Sequence, residues 1–90
     1  MMEKVEIKKM SPQEAESQGI NQWPIWTKEV SRFDWEYDME EHCYILEGEV
    51  SIETQDGNYK IEAGDYVIFP KGLACIWDIK EDIRKHYDFK

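Results

Sequence analysis

Three pairs of residues in this 90-residue chain carry side chains that could do chemistry. They are Trp35 with Tyr37, Glu41 with Cys43, and Cys75 with Trp77. Residues two apart in an extended chain point the same way, so each pair shares one face of its strand. A carboxyl held among rings and thiols loses water. That raises its pKa and suits Glu41 to general acid–base work, or to gripping a cationic or hydroxylated ligand. Glu41 could equally be a structural carboxylate bonded to Tyr37 or to an indole N–H. Thiolates bind zinc and act as nucleophiles, whereas a buried free cysteine usually packs as a small hydrophobe. Neither Cys43 nor Cys75 has a histidine at a spacing that makes a catalytic pair. His42 alternates away from Glu41 and is expected to be exposed; His86 is expected outward on the last strand. Trp35, Tyr37, Trp77 and Tyr87 offer aromatic faces to flat rings, sugars or ammonium groups, or else simply fill a small interior. Lys71, in a turn, is a rim or solvated residue.

The elements that must position these groups are strands. Glu41 to Val50 alternates, with Cys43, Ile45 and Glu47 on one side and Tyr44 and Leu46 on the other, until Gly48 forces a bend or bulge. Val50 and Ile52 resume the alternation, Asp56-Gly57 makes a hairpin turn, and Tyr59, Ile61 and Ala63 return. Tyr66 to Phe69 is a continuous apolar run, expected of a strand covered on both faces. Leu73 to Ile79 forms a further strand, Lys80-Glu81-Asp82 a polar turn, and Ile83 to Phe89 a last strand with Ile83, Lys85, Tyr87 and Phe89 on one side. Upstream, Lys4 to Lys8 reads as an edge strand guarded by lysines. Ser11-Pro12-Gln13-Glu14 starts the only helix expected, with Ser11 as cap and Glu14 closing a capping box, and Gly19 ends it. Lys28 to Tyr37 shifts phase near Ser31, as two strands or one bulged strand would. Trp23 and Trp26 need burial over an open end or an edge of the sheet. Short strands with regular turns make an all-β sandwich or barrel.

Ninety residues make one domain. No apolar run is long enough to span a membrane, and Met1-Met2-Glu3-Lys4-Val5 carries no apolar leader. Two cysteines do not make a disulfide framework, so reduced thiols in the cytoplasm are expected. A net charge of −9 repels phosphate backbones and anionic lipid, which argues against nucleic-acid and membrane partners.

The central stretch resembles the first sequence motif of the cupins: His-x-His, three or four residues, Glu, then an aromatic and two aliphatics before Gly. Glu41 stands at the motif glutamate, and Tyr44-Ile45-Leu46-Glu47-Gly48 matches its tail. Gly64-Asp65-Tyr66-Val67-Ile68-Phe69-Pro70-Lys71-Gly72 is similar to the second motif. With Trp23-Pro24-Ile25-Trp26, Trp77 and Arg84-Lys85-His86-Tyr87, the likeness covers nearly the whole chain. It points to the small cupins grouped with the ureidoglycine aminohydrolase and ethanolamine-utilisation cupins. The resemblance implies a jelly-roll β-barrel over residues 27–90, preceded by an N-terminal strand, helix and tryptophan arm over 1–26. It also locates the ligands of metal-binding cupins: the His-x-His positions fall on Trp35 and Tyr37, the glutamate on Glu41, and the last histidine on Cys75. Only Glu41 survives of that set, so no cofactor is expected, and any divalent metal would have to use Glu41 and Cys75.

The expectation is a small-molecule-binding cupin with a degenerate metal site, its cavity shared by Trp35, Tyr37, Glu41, Cys75 and Trp77. The alternative is an isomerase, lyase or hydrolase with Glu41 as acid/base and Cys75 as helper or ligand. Cupins commonly pair through an outer sheet face, and Tyr44, Leu46, Tyr66 and Ile68 would offer an apolar one, unless the N-terminal arm covers it. Sedimentation at micromolar concentration is expected to show a homodimer; a single species at 10.8 kDa would leave the arm as the only cover.

Overall fold

Two long antiparallel strands carry the fold, and both bend at the same level. The computed structural model describes residues 4–90; the start of the chain at Met1-Met2-Glu3, read above as leaderless and as the beginning of the arm, lies outside the described residues. The two strands are β4 (Glu41–Thr54) and β7 (Ala74–Phe89). They pair from Glu41↔Phe89 to Ile45↔Lys85, lose register between Ile45 and Val50, and resume from Val50↔Ile79 to Glu53↔Ile76. The bulge falls on Gly48, whose φ of 100° favours glycine. A Cβ there would run into the carbonyl of Asp82.

The bulge resets the alternation. Glu41, Cys43 and Ile45 are buried before it, Val50 and Ile52 after it. Glu47, expected beside Cys43 and Ile45, is instead thrown into solvent, where it faces Arg84 at 3.6 Å. The Lys80-Glu81-Asp82 triplet is likewise no turn between two strands. It is the exposed outside of the bend, and β7 runs through it unbroken for 16 residues.

Each half of the bent pair gathers its own neighbours. The first half of β4 pairs with β6 (Asp65–Phe69), which pairs in turn with β1 (Glu6–Lys9); the second half of β7 pairs with β2 (Ile25–Lys28). The second half of β4 pairs with β5 (Gly57–Glu62) across the Asp56-Gly57 hairpin, and the first half of β7 pairs with β3 (Ser31–Glu36). The two halves fold toward each other as a jelly roll. Among the described residues hydrogen bonding does not run round as a closed barrel: β1, β2, β3 and β5 remain edges. The stretch from Lys28 to Tyr37, expected as two strands or one bulged strand, holds the end of β2 and the whole of β3, which are separate strands divided at Glu29-Val30.

The core lies between the halves. Ile45, Ile52, Ile61, Ile79 and Ile83 are fully buried there, each stabilising the fold by about 2 kcal/mol. Phe69 spans the gap, stacking on Tyr37 with centroids 4.9 Å apart and touching Trp77 at 5.6 Å.

The N-terminal segment covers the outer face. Ser11 caps α1 (Pro12–Ser17), its Oγ accepting from the Glu14 N–H at 3.1 Å. The Glu14 side chain does not complete a capping box but accepts from Gln18. Gly19 ends the helix with φ 78°, and a 3-10 turn over Ile20–Gln22, not foreseen in the sequence, follows. Met10, Ala15 and Ile20 bury Tyr44, with Trp23, Leu46 and Tyr66 packed around them. The Tyr44 hydroxyl donates to the Met10 carbonyl at 2.9 Å. Of the apolar alternates, Tyr44 is thus buried by this chain's own arm, Leu46 and Tyr66 are half-buried against it, and Ile68, opposite Glu6 of β1, is half-buried outside that cluster. Among the described residues no helix is long and apolar enough to cross a membrane.

Substituting Gly48→Ala is expected to destabilise the protein by about 3 kcal/mol, from positive φ and the clash with Asp82 together. Gly64→Ala has positive φ but open space around it, and is expected to cost about 1 kcal/mol. Urea unfolding measures both; equal losses would show that the bend does not need the close approach.

Candidate functional site

An ammonium and a carboxylate meet in the interior, on one arm of the bent pair. Glu41 opens β4, held between Phe69 of β6 and Phe89 of β7. Lys85 sits four positions further along the same inner face, opposite Ile45, with Trp26 of β2 as its other register partner. Its stem runs back along that face, and Nζ donates to the Glu41 carboxylate at 2.8 Å. The two residues are 4% and 3% exposed.

Tryptophans flank the ammonium. Nζ is 5.0 Å from the ring centre of Trp26 and 4.7 Å from that of Trp77, and the two indoles meet edge to face at 5.7 Å. Phe33 stacks on Trp77 at 6.1 Å. The Tyr37 phenol is pushed far above its usual value, first by burial and then by the negative charge of Glu41, so it remains a donor. The indole Nε1 of Trp77 is buried without a hydrogen-bond partner among the described residues.

These groups line one cavity of about 760 Å³, with Trp26, Phe33, Trp35, Tyr37, Trp77 and Tyr87 as walls and Glu41 and Lys85 among them. Thr27, Lys28, Glu29, Asp34 and Phe89 complete the lining. Trp35 is 49% exposed.

Four of the five residues expected to share a cavity do so: Trp35, Tyr37, Glu41 and Trp77. Cys75 does not line it. It is paired with Trp35 across β3 and β7 and borders a neighbouring shallow groove with Glu36, Glu53 and Asn58. Burial pushes the Cys75 thiol up to about 11 and the Cys43 thiol up to about 12, so both are neutral thiols near pH 7, poor as nucleophiles and metal ligands alike. His42 lies outward as expected but is half-buried, its ring nitrogens 2.6 Å from the Tyr66 hydroxyl and 2.6 Å from the Glu40 carboxylate. His86 also faces outward, buried under the arm with Nδ1 2.9 Å from the Trp23 carbonyl. Lys71 is exposed in its turn and does not line the cavity.

Lys85 and Trp26 are the functional residues that sequence reasoning passed over. The signal for Lys85 was present: alternation set it with Ile83, Tyr87 and Phe89, an apolar face on which a lysine needs a buried partner.

The divalent ion of metal-binding cupins does not fit this arrangement. Among the described residues no three His, Cys, Asp or Glu side chains converge. The single carboxylate at a ligand position is already neutralised by an ammonium, whose charge would repel a second cation at that distance. The pair is costly in itself. Desolvating two ions takes several kcal/mol, and apolar residues of the same size are often as stable or more so. What the arrangement can do is present an acceptor and a donor side by side, in an aromatic pocket.

A family model described as the EutQ-like cupin domain matches residues 15–87. A crystal structure of a DUF861 family protein from Thermotoga maritima is 52% identical, covering 97% of this chain and 100% of its own, with a TM-score of 0.91. A putative ethanolamine utilization protein EutQ from Salmonella typhimurium LT2 is similar at 20% identity, over 94% of this chain and 68% of its own, with a TM-score of 0.66. A predicted oxalate decarboxylase from Thermotoga maritima is similar at 19% identity, over 94% of this chain and 78% of its own, with a TM-score of 0.57. These last two likenesses bear on the fold alone. No curated protein matches the chain.

Lys85→Met, which leaves the Glu41 carboxylate buried and unpaired, is expected to lower stability by about 3–5 kcal/mol. Adding Glu41→Met is expected to recover most of that loss, since the pair is then replaced by apolar volume. Urea unfolding of the two single variants and the double one measures the coupling; additive losses would mean that the two side chains do not stabilise each other.

Proposed function

The chain belongs to the EutQ-like cupin family, and we propose that it is a small-molecule-binding cupin whose pocket uses the Glu41–Lys85 ion pair in place of a metal. The observation that carries this reading is the pair itself, placed at 2.8 Å in the lining of an aromatic cavity where apolar residues would serve stability as well. Ligand pockets of this kind are mostly apolar, with a few polar groups that fix orientation.

The pocket favours an uncharged ligand. Its lining holds two cationic side chains, Lys28 and Lys85, against three anionic ones, Glu29, Asp34 and Glu41. Neither a dianion nor a strong cation gains from that balance. A compact molecule with a flat or C–H-rich face would lie against Trp26 and Trp77. Its hydroxyl or amide N–H would donate to Glu41, and its carbonyl would accept from Lys85. This ligand class is compatible with a cytoplasmic protein that needs neither cofactor nor nucleic acid, and equally with a monomer or a pair.

Thermal unfolding in the presence of single candidate compounds tests the reading. Uncharged hydroxy-carbonyl compounds and amides are expected to raise the midpoint, and dicarboxylates to leave it unchanged. Elemental analysis of protein purified without added metal is expected to give well under one transition-metal atom per chain. Stoichiometric metal, removed by a chelator with loss of ligand binding, would sink the proposal.

A further inference from the structure

Resting on that reading, we infer that the Glu41–Lys85 pair is a proton-transfer device acting on the carbon next to a carbonyl group. The substrate class is a small uncharged hydroxy-ketone or hydroxy-aldehyde. Removing a proton from such a carbon needs a base at the C–H and a donor at the carbonyl oxygen, where negative charge collects. Glu41 and Lys85 supply these two groups from the lining of one cavity, 2.8 Å apart.

The balance of the step is simple. The C–H bond breaks and the proton goes to the Glu41 carboxylate. The electron pair moves to the carbonyl oxygen, giving an enolate that accepts a hydrogen bond from the Lys85 ammonium. Return of the proton from Glu41, to the same carbon or to its neighbour after the hydroxyl proton has shifted, regenerates carbonyl and carboxylate. No oxidant, metal or further reactant is consumed.

Three observations support the assignment of roles. Among the described residues the Lys85 ammonium makes one hydrogen bond, to Glu41, and otherwise lies against the aromatic faces of Trp26 and Trp77. Those contacts are weaker than a bond to a developing oxyanion and yield to it. Nearly complete burial of both groups strengthens each electrostatic contact, because little water screens it. Tyr37, kept as a neutral phenol, is a donor beside Glu41 and does not compete with it as a base. The helper earlier sought in Cys75 is thereby supplied by Lys85.

Hydroxyacetone is the probe. Its two carbons flanking the carbonyl give separate proton signals, whose loss in deuterated water measures carbon-bound exchange. The native protein is expected to accelerate that loss over buffer. Glu41→Gln is expected to lower the accelerated rate by about 100-fold or more, and Glu41→Asp, which keeps the charge pair but shortens the base, by a smaller factor. Lys85→Met is expected to lower it by about 100-fold through loss of the oxyanion donor. Circular dichroism of each variant separates loss of the step from loss of the fold. Indole fluorescence titrated with hydroxyacetone reports binding independently. Saturable binding by native protein without exchange would overturn the inference and leave the binding reading standing. Exchange that persists in a folded Glu41→Gln variant would overturn the roles assigned. Neither binding nor exchange would overturn both.

Discussion

The bend in the paired β4 and β7 strands is the constraint on which everything else rests. Lys85 and Trp77 belong to the same strand, eight residues apart. Eight residues of straight strand span about 26 Å, yet the ammonium lies 4.7 Å from the centre of the Trp77 ring. Only a strand folded back on itself can bring its own two halves face to face. The bulge at Gly48 allows this, because the β4 backbone there passes close against the carbonyl of Asp82. The resulting jelly roll is one sheet with two facing arms, and the cavity is the space between them.

The energetics of the interior are uneven. Isoleucine and phenylalanine burial supplies the stabilisation, and the ion pair draws on it. A lysine and a glutamate in a small core often contribute no more than two apolar residues would. Their partners are accordingly close: one direct hydrogen bond, two indole faces, and a phenol nearby. Metal-binding cupins place a cation against the motif glutamate. In this chain a side chain supplies the cation, one that cannot be lost to a chelator and cannot change its oxidation state.

Much of the fold was legible in the sequence because period-two alternation and glycine turns speak directly about strands. The Asp56-Gly57 hairpin, the Ser11 cap and the Gly48 bulge all follow from local chemistry. The polar triplet Lys80-Glu81-Asp82 was misleading, because polarity reports contact with water, and the outside of a bend is as wet as a turn. The site was legible in part. Alternation assigns a side chain to a face, so it brought Glu41, Tyr37 and Trp77 inward. It does not say which neighbouring strand will stand in front, and so it could not place Cys75 behind Trp35 in a separate groove. Lys85 was hidden by its type: lysine reads as surface until its strand neighbours are weighed together.

The short segment from Trp23 to Trp26 stitches the two sides of the sheet together. Trp23 lies on the outside, near Tyr66 with centroids 6.4 Å apart, and its carbonyl meets His86. Trp26, three residues later, lies on the inside, against Trp77 and over the Lys85 ammonium. Pro24 between them accepts from the Tyr87 N–H at 3.1 Å, tying the crossing point to β7. The arm and the cavity are therefore mechanically one unit. Whatever loosens the Trp23 contacts on the outer surface also pulls on a wall of the cavity, so the outer skin of this protein is a handle on its interior.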